Sequence, residues 1–152
     1  MSVILVPFDF TEVANCAVDH AANIAKDLEI PVVLLHIINK DTRELLNVYK
    51  VTNELVNEKL QEKVDEFSNK YGVPFEYEAR EGSIFSDIAE ASEDHNAFLV
   101  VMGTHGRHGI QNLFGSYARR VITSSKIPFI VVQKRLYRPY KKIVTPLDDT
   151  LE

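Results

Sequence analysis

Gly103-Thr-His-Gly106, followed by Gly109 and then by Gly115-Ser116, lies between a strand-like run and a helix-like one. Glycine tolerates positive φ and close backbone approach, so several N–H groups can converge on one concavity, and a helix start adds free donors and partial positive charge. Phosphate is the natural guest of such a cradle. The same spacing also fits a turn that only shapes the connection between strand and helix. No Walker lysine-Ser/Thr follows the glycines and no G-x-G-x-x-G follows the first strand, so hydrolysis by a P-loop mechanism is disfavoured.

Asp9, in Pro7-Phe-Asp-Phe-Thr11, stands just past the first strand. It can accept hydrogen bonds from a base or ribose, hold a metal, or cap the first helix. An aspartyl-nucleophile phosphatase would need a second Asp two positions earlier, where Pro7 stands, so covalent phosphoryl chemistry has no nucleophile. His20, His36, His95, His105 and His108 show no tight metal spacing. His105 and His108 fall in the glycine loop, facing phosphate or solvent, while His36 closes the second strand as a packed or locally hydrogen-bonded residue. Arg107, Arg119 and Arg120 put positive charge near the loop, though such arginines commonly lie on a solvated face. Ser83 and Ser116 have no adjacent base or elbow motif, so no catalytic residue is assigned. Cys16, the single cysteine, reads as a buried thiol and fits a reducing compartment.

These residues need elements to hold them. Val3 to Val6, stopped by Pro7, is a strand buried on both faces, and Thr11 caps a helix whose apolar stripe includes Val13, Ala14, Ala17, Val18, Ala21 and Ala25. A second buried strand spans Pro31 to Ile38. One long amphipathic helix is expected from about Thr42 to Lys70, ended by Gly72. Phe75 to Ala79 alternates as a strand with one wetter face, Ser83 opens a short helix, and Ala97 to Met102 is the fourth strand. A helix from about Ser116 to Ser124 and a strand from Pro128 to Val132 complete the series. Regular β-α alternation demands a doubly wound, five-stranded parallel sheet with helices on both faces, of Rossmann-like α/β class. Ligands of such folds bind at the carboxyl ends of the strands, where the winding reverses.

The chain has 152 residues, 45% hydrophobic and 26% charged, which is the size and composition of one folded domain. A net charge of -5 argues against a nucleic-acid surface. No apolar stretch is long enough to span a membrane, so a soluble, cytoplasmic protein is expected. Lys142-Ile-Val-Thr-Pro-Leu-Asp-Asp-Thr150 echoes Val3-Ile-Leu-Val-Pro-Phe-Asp-Phe-Thr11, pairing Ile143, Pro146, Asp148 and Thr150 with Ile4, Pro7, Asp9 and Thr11 at one constant offset. A domain over residues 1–134 is therefore expected, followed over 135–152 by a linker and the start of a second repeat.

From Pro7-x-Asp-x-Thr11 through Leu35-His-Ile37 to Met102-Gly-Thr-His-Gly106 and Gly115-Ser116, the chain resembles the universal stress protein family. That resemblance implies a regulatory, non-enzymatic protein of the same fold. In one branch ATP or a related adenine nucleotide is bound, with or without Mg, and without strong turnover. It implies a nucleoside contacted by Asp9 and Ile37, a base and ribose side lined by Met102 and Gly103, and phosphates held by Gly106, Gly115 and Ser116. Pro7, His105 and Tyr117 complete the implied site. It also implies pairing through the last strand, as a homodimer or with a second tandem domain. One departure stands out: Arg107 to Phe114 makes eight residues between Gly106 and Gly115, one fewer than in the ATP-binding branch. A one-residue deletion can be absorbed by a loop or can move the helix start off the phosphates. The alternative is thus a pairing module of the same fold that binds no ligand.

Overall fold

The computed structural model describes residues 1–103 and 125–146. In chain order the elements are β1 (Val3–Pro7), α1 (Glu12–Leu28), β2 (Val32–Ile38), α2 (Lys40–Val48), α3 (Asn53–Tyr71), β3 (Phe75–Glu81), α4 (Ile84–Asp94), β4 (Ala97–Gly103) and β5 (Phe129–Val132). The five strands form one sheet in the order β3-β2-β1-β4-β5, and each neighbouring pair is parallel. The winding reverses between β1 and β4. This is the doubly wound α/β architecture that the β-α alternation requires, and the reversal leaves a crevice above the carboxyl ends of those two strands.

Strand alternation sends side chains to two cores. Ile4 and Val6 of β1 and Val32 and Leu34 of β2 pack with α1 and with Val56, Leu60, Val64 and Phe67 of α3. Val3, Leu5, Val33 and Leu35 face the other way, onto Ile88 and Ala91 of α4. Ile4, Leu5, Leu34 and Leu35 are fully buried, and each such side chain contributes roughly 1.5–3 kcal/mol. Ala14, Ala17, Ala21 and Ala25, all buried, let α1 lie close to the sheet. Thr11 caps that helix as its sequence position suggests, its side chain accepting from the N–H of Ala14 at 3.3 Å. Gly72 ends α3 in the left-handed conformation with φ 66°.

One expectation is corrected. The single helix from Thr42 to Lys70 is two helices, α2 and α3, separated by a turn over Tyr49 to Thr52. Lys50 adopts φ 54°, the N–H of Val51 returns to the carbonyl of Leu46 at 2.8 Å, and Thr52 caps α3 by accepting from Leu55. Helical periodicity runs on through this turn, which contains neither glycine nor proline. Two strands also extend beyond their expected ends, since β3 runs to Glu81 and β4 to Gly103.

Both ends of the sheet carry distinctive edges. At β3 the Glu78 carboxylate meets Arg80 and His95, each at 2.6 Å, and Arg80 also reaches Asp94 at 2.8 Å. Such charge discourages edge pairing. The opposite edge, β5, is apolar, with Val131 42% exposed. Beyond β5 the chain turns back onto α1. There Nε2 of His20 donates to the Arg135 carbonyl at 3.1 Å, and Nδ1 pairs with the Tyr140 hydroxyl at 2.9 Å. The Asp19 carboxylate accepts from the Tyr137 N–H at 2.6 Å and from the Tyr71 hydroxyl at 2.9 Å.

Candidate functional site

Above the carboxyl ends of β1, β2 and β4 lies a cavity of about 860 Å³. Pro7, Asp9, Ile37, Met102 and Gly103, five of the expected site residues, all line it. They come from the ends of three strands, so the sheet's own topology brings them together. His105, Gly106, Gly115, Ser116 and Tyr117 lie outside the described residues, as do Gly109, His108, Arg107, Arg119, Arg120 and the second half of the repeat from Leu147.

The turn from β1 to α1 forms the floor. Asp9 Oδ1 accepts the Thr11 N–H at 3.1 Å and the Thr11 hydroxyl at 2.5 Å, and Thr11 in turn caps α1. The cap of α1 is thus Thr11, and Asp9 supports it by holding Thr11. Between them Phe10 takes φ 63°, a strained conformation for an aromatic residue. Its ring meets Phe8 and His36 edge-on, at centroid distances of 5.1 and 5.3 Å.

Gly103 has a packing reason to be glycine. A Cβ there would stand 2.9 Å from Val13 Cγ2 and 3.0 Å from the Val13 carbonyl oxygen, so β4 and α1 approach too closely for any side chain. His36 is buried, and Nδ1 donates to the Phe8 carbonyl at 2.8 Å, as the local hydrogen-bonding role expected for it requires. Burial pushes its imidazolium pKa down, against an upward pull from the Phe8 carbonyl and the Asp9 charge, so the ring is neutral at pH 7. Cys16 is buried as well, and burial raises its thiol, the opposite of a reactive cysteine.

The cavity's walls come from both faces of the sheet. Ile37, Ile84, Ile88 and Met102 belong to the core on the α4 face of the sheet. Phe8, Leu46, Val51 and Val56 belong to the core on the α1 and α3 face. Asp9, Phe10 and His36 stand among the lining groups as well. The α2 side of the cavity was not legible in sequence, because Leu45, Leu46 and Leu55 read as part of one long amphipathic helix. Chemically the α4 side offers an apolar wall in the same cavity as the Asp9 turn. Among the described residues no group of three His, Cys, Asp or Glu side chains is arranged to hold a metal. Among them, too, no helix is long and apolar enough to cross a membrane.

Residues 1–133 match the sequence model of the universal stress protein family. The universal stress protein MJ0531 of Methanocaldococcus jannaschii is 34% identical over 138 residues, covering 86% of this chain and 81% of that protein. A solved universal stress protein in complex with cAMP superposes with TM-score 0.66 at 23% identity, covering 88% of this chain and 98% of the other. The universal stress protein of Archaeoglobus fulgidus in complex with dAMP superposes with TM-score 0.59 at 21% identity, over 86% and 96% of the two chains.

Proposed function

The chain belongs to the universal stress protein family, and from that premise we propose that it binds an adenine nucleotide at the β1/β4 crevice and acts as a regulator rather than as a catalyst. The observation that carries this reading is the convergence of Pro7, Asp9, Ile37, Met102 and Gly103 on one cavity where the sheet reverses its winding. In this reading the base enters the apolar slot beside Ile37 and Met102, and the ribose faces Asp9. The phosphates point toward the glycine segment from Gly106 to Ser116, with ATP the expected nucleotide and Mg its counterion. Two solved proteins of the same fold hold the adenine nucleotides cAMP and dAMP, which supports the ligand class.

Regulation follows from differential binding. A nucleotide that binds one arrangement of the protein better than another shifts the population of surfaces presented to a partner. The assigned partner is a second copy of the domain, paired through β5, whose apolar outer edge supports it. The cytoplasm is the assigned compartment. Mass spectrometry of gently purified, then denatured protein tests the binding reading. Co-purified adenine nucleotide supports it; none, together with no calorimetric heat from ATP-Mg, AMP or cAMP, replaces it with a pairing module that binds no ligand.

A further inference from the structure

The same cavity extends to α2 and α3, and the walls of this α2-side lobe describe a ligand other than a nucleotide. α2 carries Leu45, Leu46 and Tyr49 toward the cavity, yet none of its residues is buried. A nine-residue helix is marginal without a packed apolar face. Leu46 packs on the α1 and α3 core, and the other fastenings of α2 are polar: Asn39 caps it by accepting from Thr42 at 2.8 Å, and Arg43 bonds Asn53 at 2.9 Å and also Glu81. Leu45, half-exposed, and Tyr49, just past the helix and more exposed, line the cavity together with Val51, Leu55 and Val56.

His36 supplies a polar demand in this wall. It is only 9% exposed, and a carbonyl can only accept, so its Nδ1 carries the proton that goes to Phe8. In the neutral ring Nε2 then holds a bare lone pair. Among the described residues nothing donates to Nε2. Every sealed side-chain nitrogen or oxygen among them has a partner, so Nε2 is reachable, and His36 is part of the cavity wall. The edge-on ring of Phe10 sets it on the α1 and α3 side, at the cost of the φ 63° backbone.

The charges at this end are already occupied. Lys59 holds Glu62 at 2.8 Å, and Glu12 holds Lys134 at 2.6 Å. A charged guest would find no spare counter-charge in these pairs, which favours a neutral one. We propose that the lobe beneath α2 is a second ligand site, built for a compact, neutral, apolar molecule carrying one hydroxyl or N–H donor, such as a phenol. The donor bonds Nε2 of His36, and the body of the molecule packs between Leu45, Leu46, Val51 and Leu55. The whole cavity lies in the range of about 300–1,000 Å³ usual for small-molecule sites. This site shares the cavity with the proposed nucleotide slot, but its argument does not rest on that reading.

Calorimetric titration of the full chain with 2-naphthol, and with its methyl ether as the donorless control, tests it. The naphthol should bind, and the ether should bind about tenfold more weakly, the worth of one good hydrogen bond. His36→Phe should erase that difference. Leu45→Trp, a change at a half-exposed position that fills the lobe, should abolish binding of both compounds while the circular dichroism spectrum stays that of the parent. No heat from 2-naphthol, equal affinity for the ether, or undiminished binding by Leu45→Trp overturns the proposal. ATP is titrated into the same samples: naphthol displaced by ATP would lie in the nucleotide slot, which also overturns it, whereas naphthol binding with no response to ATP leaves this site standing and removes the nucleotide reading alone.

Discussion

Asp9 and Thr11 form one hydrogen-bonded unit: a single carboxylate oxygen accepts both the main-chain N–H and the hydroxyl of Thr11, and that hydroxyl caps α1. A residue proposed to meet a nucleoside is thus also the support of a helix start. Asp9→Ala should therefore lower stability as well as nucleotide affinity. Loss of a cap costs about 1 kcal/mol, so urea denaturation should show Asp9→Ala and Thr11→Ala destabilised by similar amounts, with Asp9→Asn closer to the parent. Equal stability of Asp9→Ala and the parent would separate the carboxylate from the cap.

Glycine substitutions should divide into two classes. Gly103→Ala should destabilise the fold, because the added methyl would press on Val13 at 2.9 Å and overpacking costs roughly 1–3 kcal/mol. Gly106→Val and Gly115→Val should leave thermal stability near that of the parent and remove nucleotide binding, since a side chain there blocks close approach of phosphate to backbone. Their loss of affinity should exceed that of Asp9→Ala. Parental ATP binding by both valine variants would move the phosphates elsewhere.

Stability should depend on pH through His36 and Glu78. The folded state holds the His36 pKa below its ordinary 6.5, so the unfolded chain binds more protons there. Stability from this group is present above pH 6.5 and falls as pH drops through the depressed folded value. Burial alone would raise the Glu78 carboxyl, but hydrogen bonds from His95 and Arg80 outweigh it and hold it below the ordinary 4.5. Its contribution is likewise present above 4.5 and lost as pH falls further. Urea titrations from pH 7 to pH 4 should show the decline beginning near 6.5 in the parent, and a flatter upper limb in His36→Phe. Parallel curves for the two proteins would remove His36 from the account.

Assembly is expected through β5. Val131 is 42% exposed on the terminal strand, and two such edges can meet in a symmetric, isologous dimer. Ultracentrifugation over a concentration series should give a dimer for the parent and a monomer for Val131→Lys. A dimer that tolerates the lysine would place the interface on another face.

The sheet was legible because its central strands are buried on both faces, so Val3 to Val6, Val32 to Leu35 and Leu99 to Met102 are continuous apolar runs of the kind a parallel, two-sided sheet hides. The Thr11 cap and the Gly72 stop were legible from residue type alone. The break between α2 and α3 was not, because Lys50 adopts a left-handed conformation without being glycine and Thr52 was its sole local signal. Periodicity also cannot distinguish an apolar face that meets a core from one that meets a cavity, which hid the role of Leu45 and Leu46. Of the cavity wall, Asp9 was readable from its place just past β1, whereas Pro7, Ile37, Met102 and Gly103 were pointed to by the family resemblance; the strand ends that carry them meet at the winding reversal. That Gly103 also serves the contact with Val13 needed coordinates.

The clasp of residues 135–140 on α1 has a mechanical consequence. A pull applied to the chain beyond Pro146 reaches the Tyr140 hydroxyl on His20 first, then the Tyr137 N–H on Asp19 and the Arg135 carbonyl on His20. Tension arrives at β5 only after those bonds have parted. The clasp therefore works as a strain relief for the edge strand: a pull on the chain beyond it is borne on the surface of α1, and the β4–β5 ladder stays in register while it lasts.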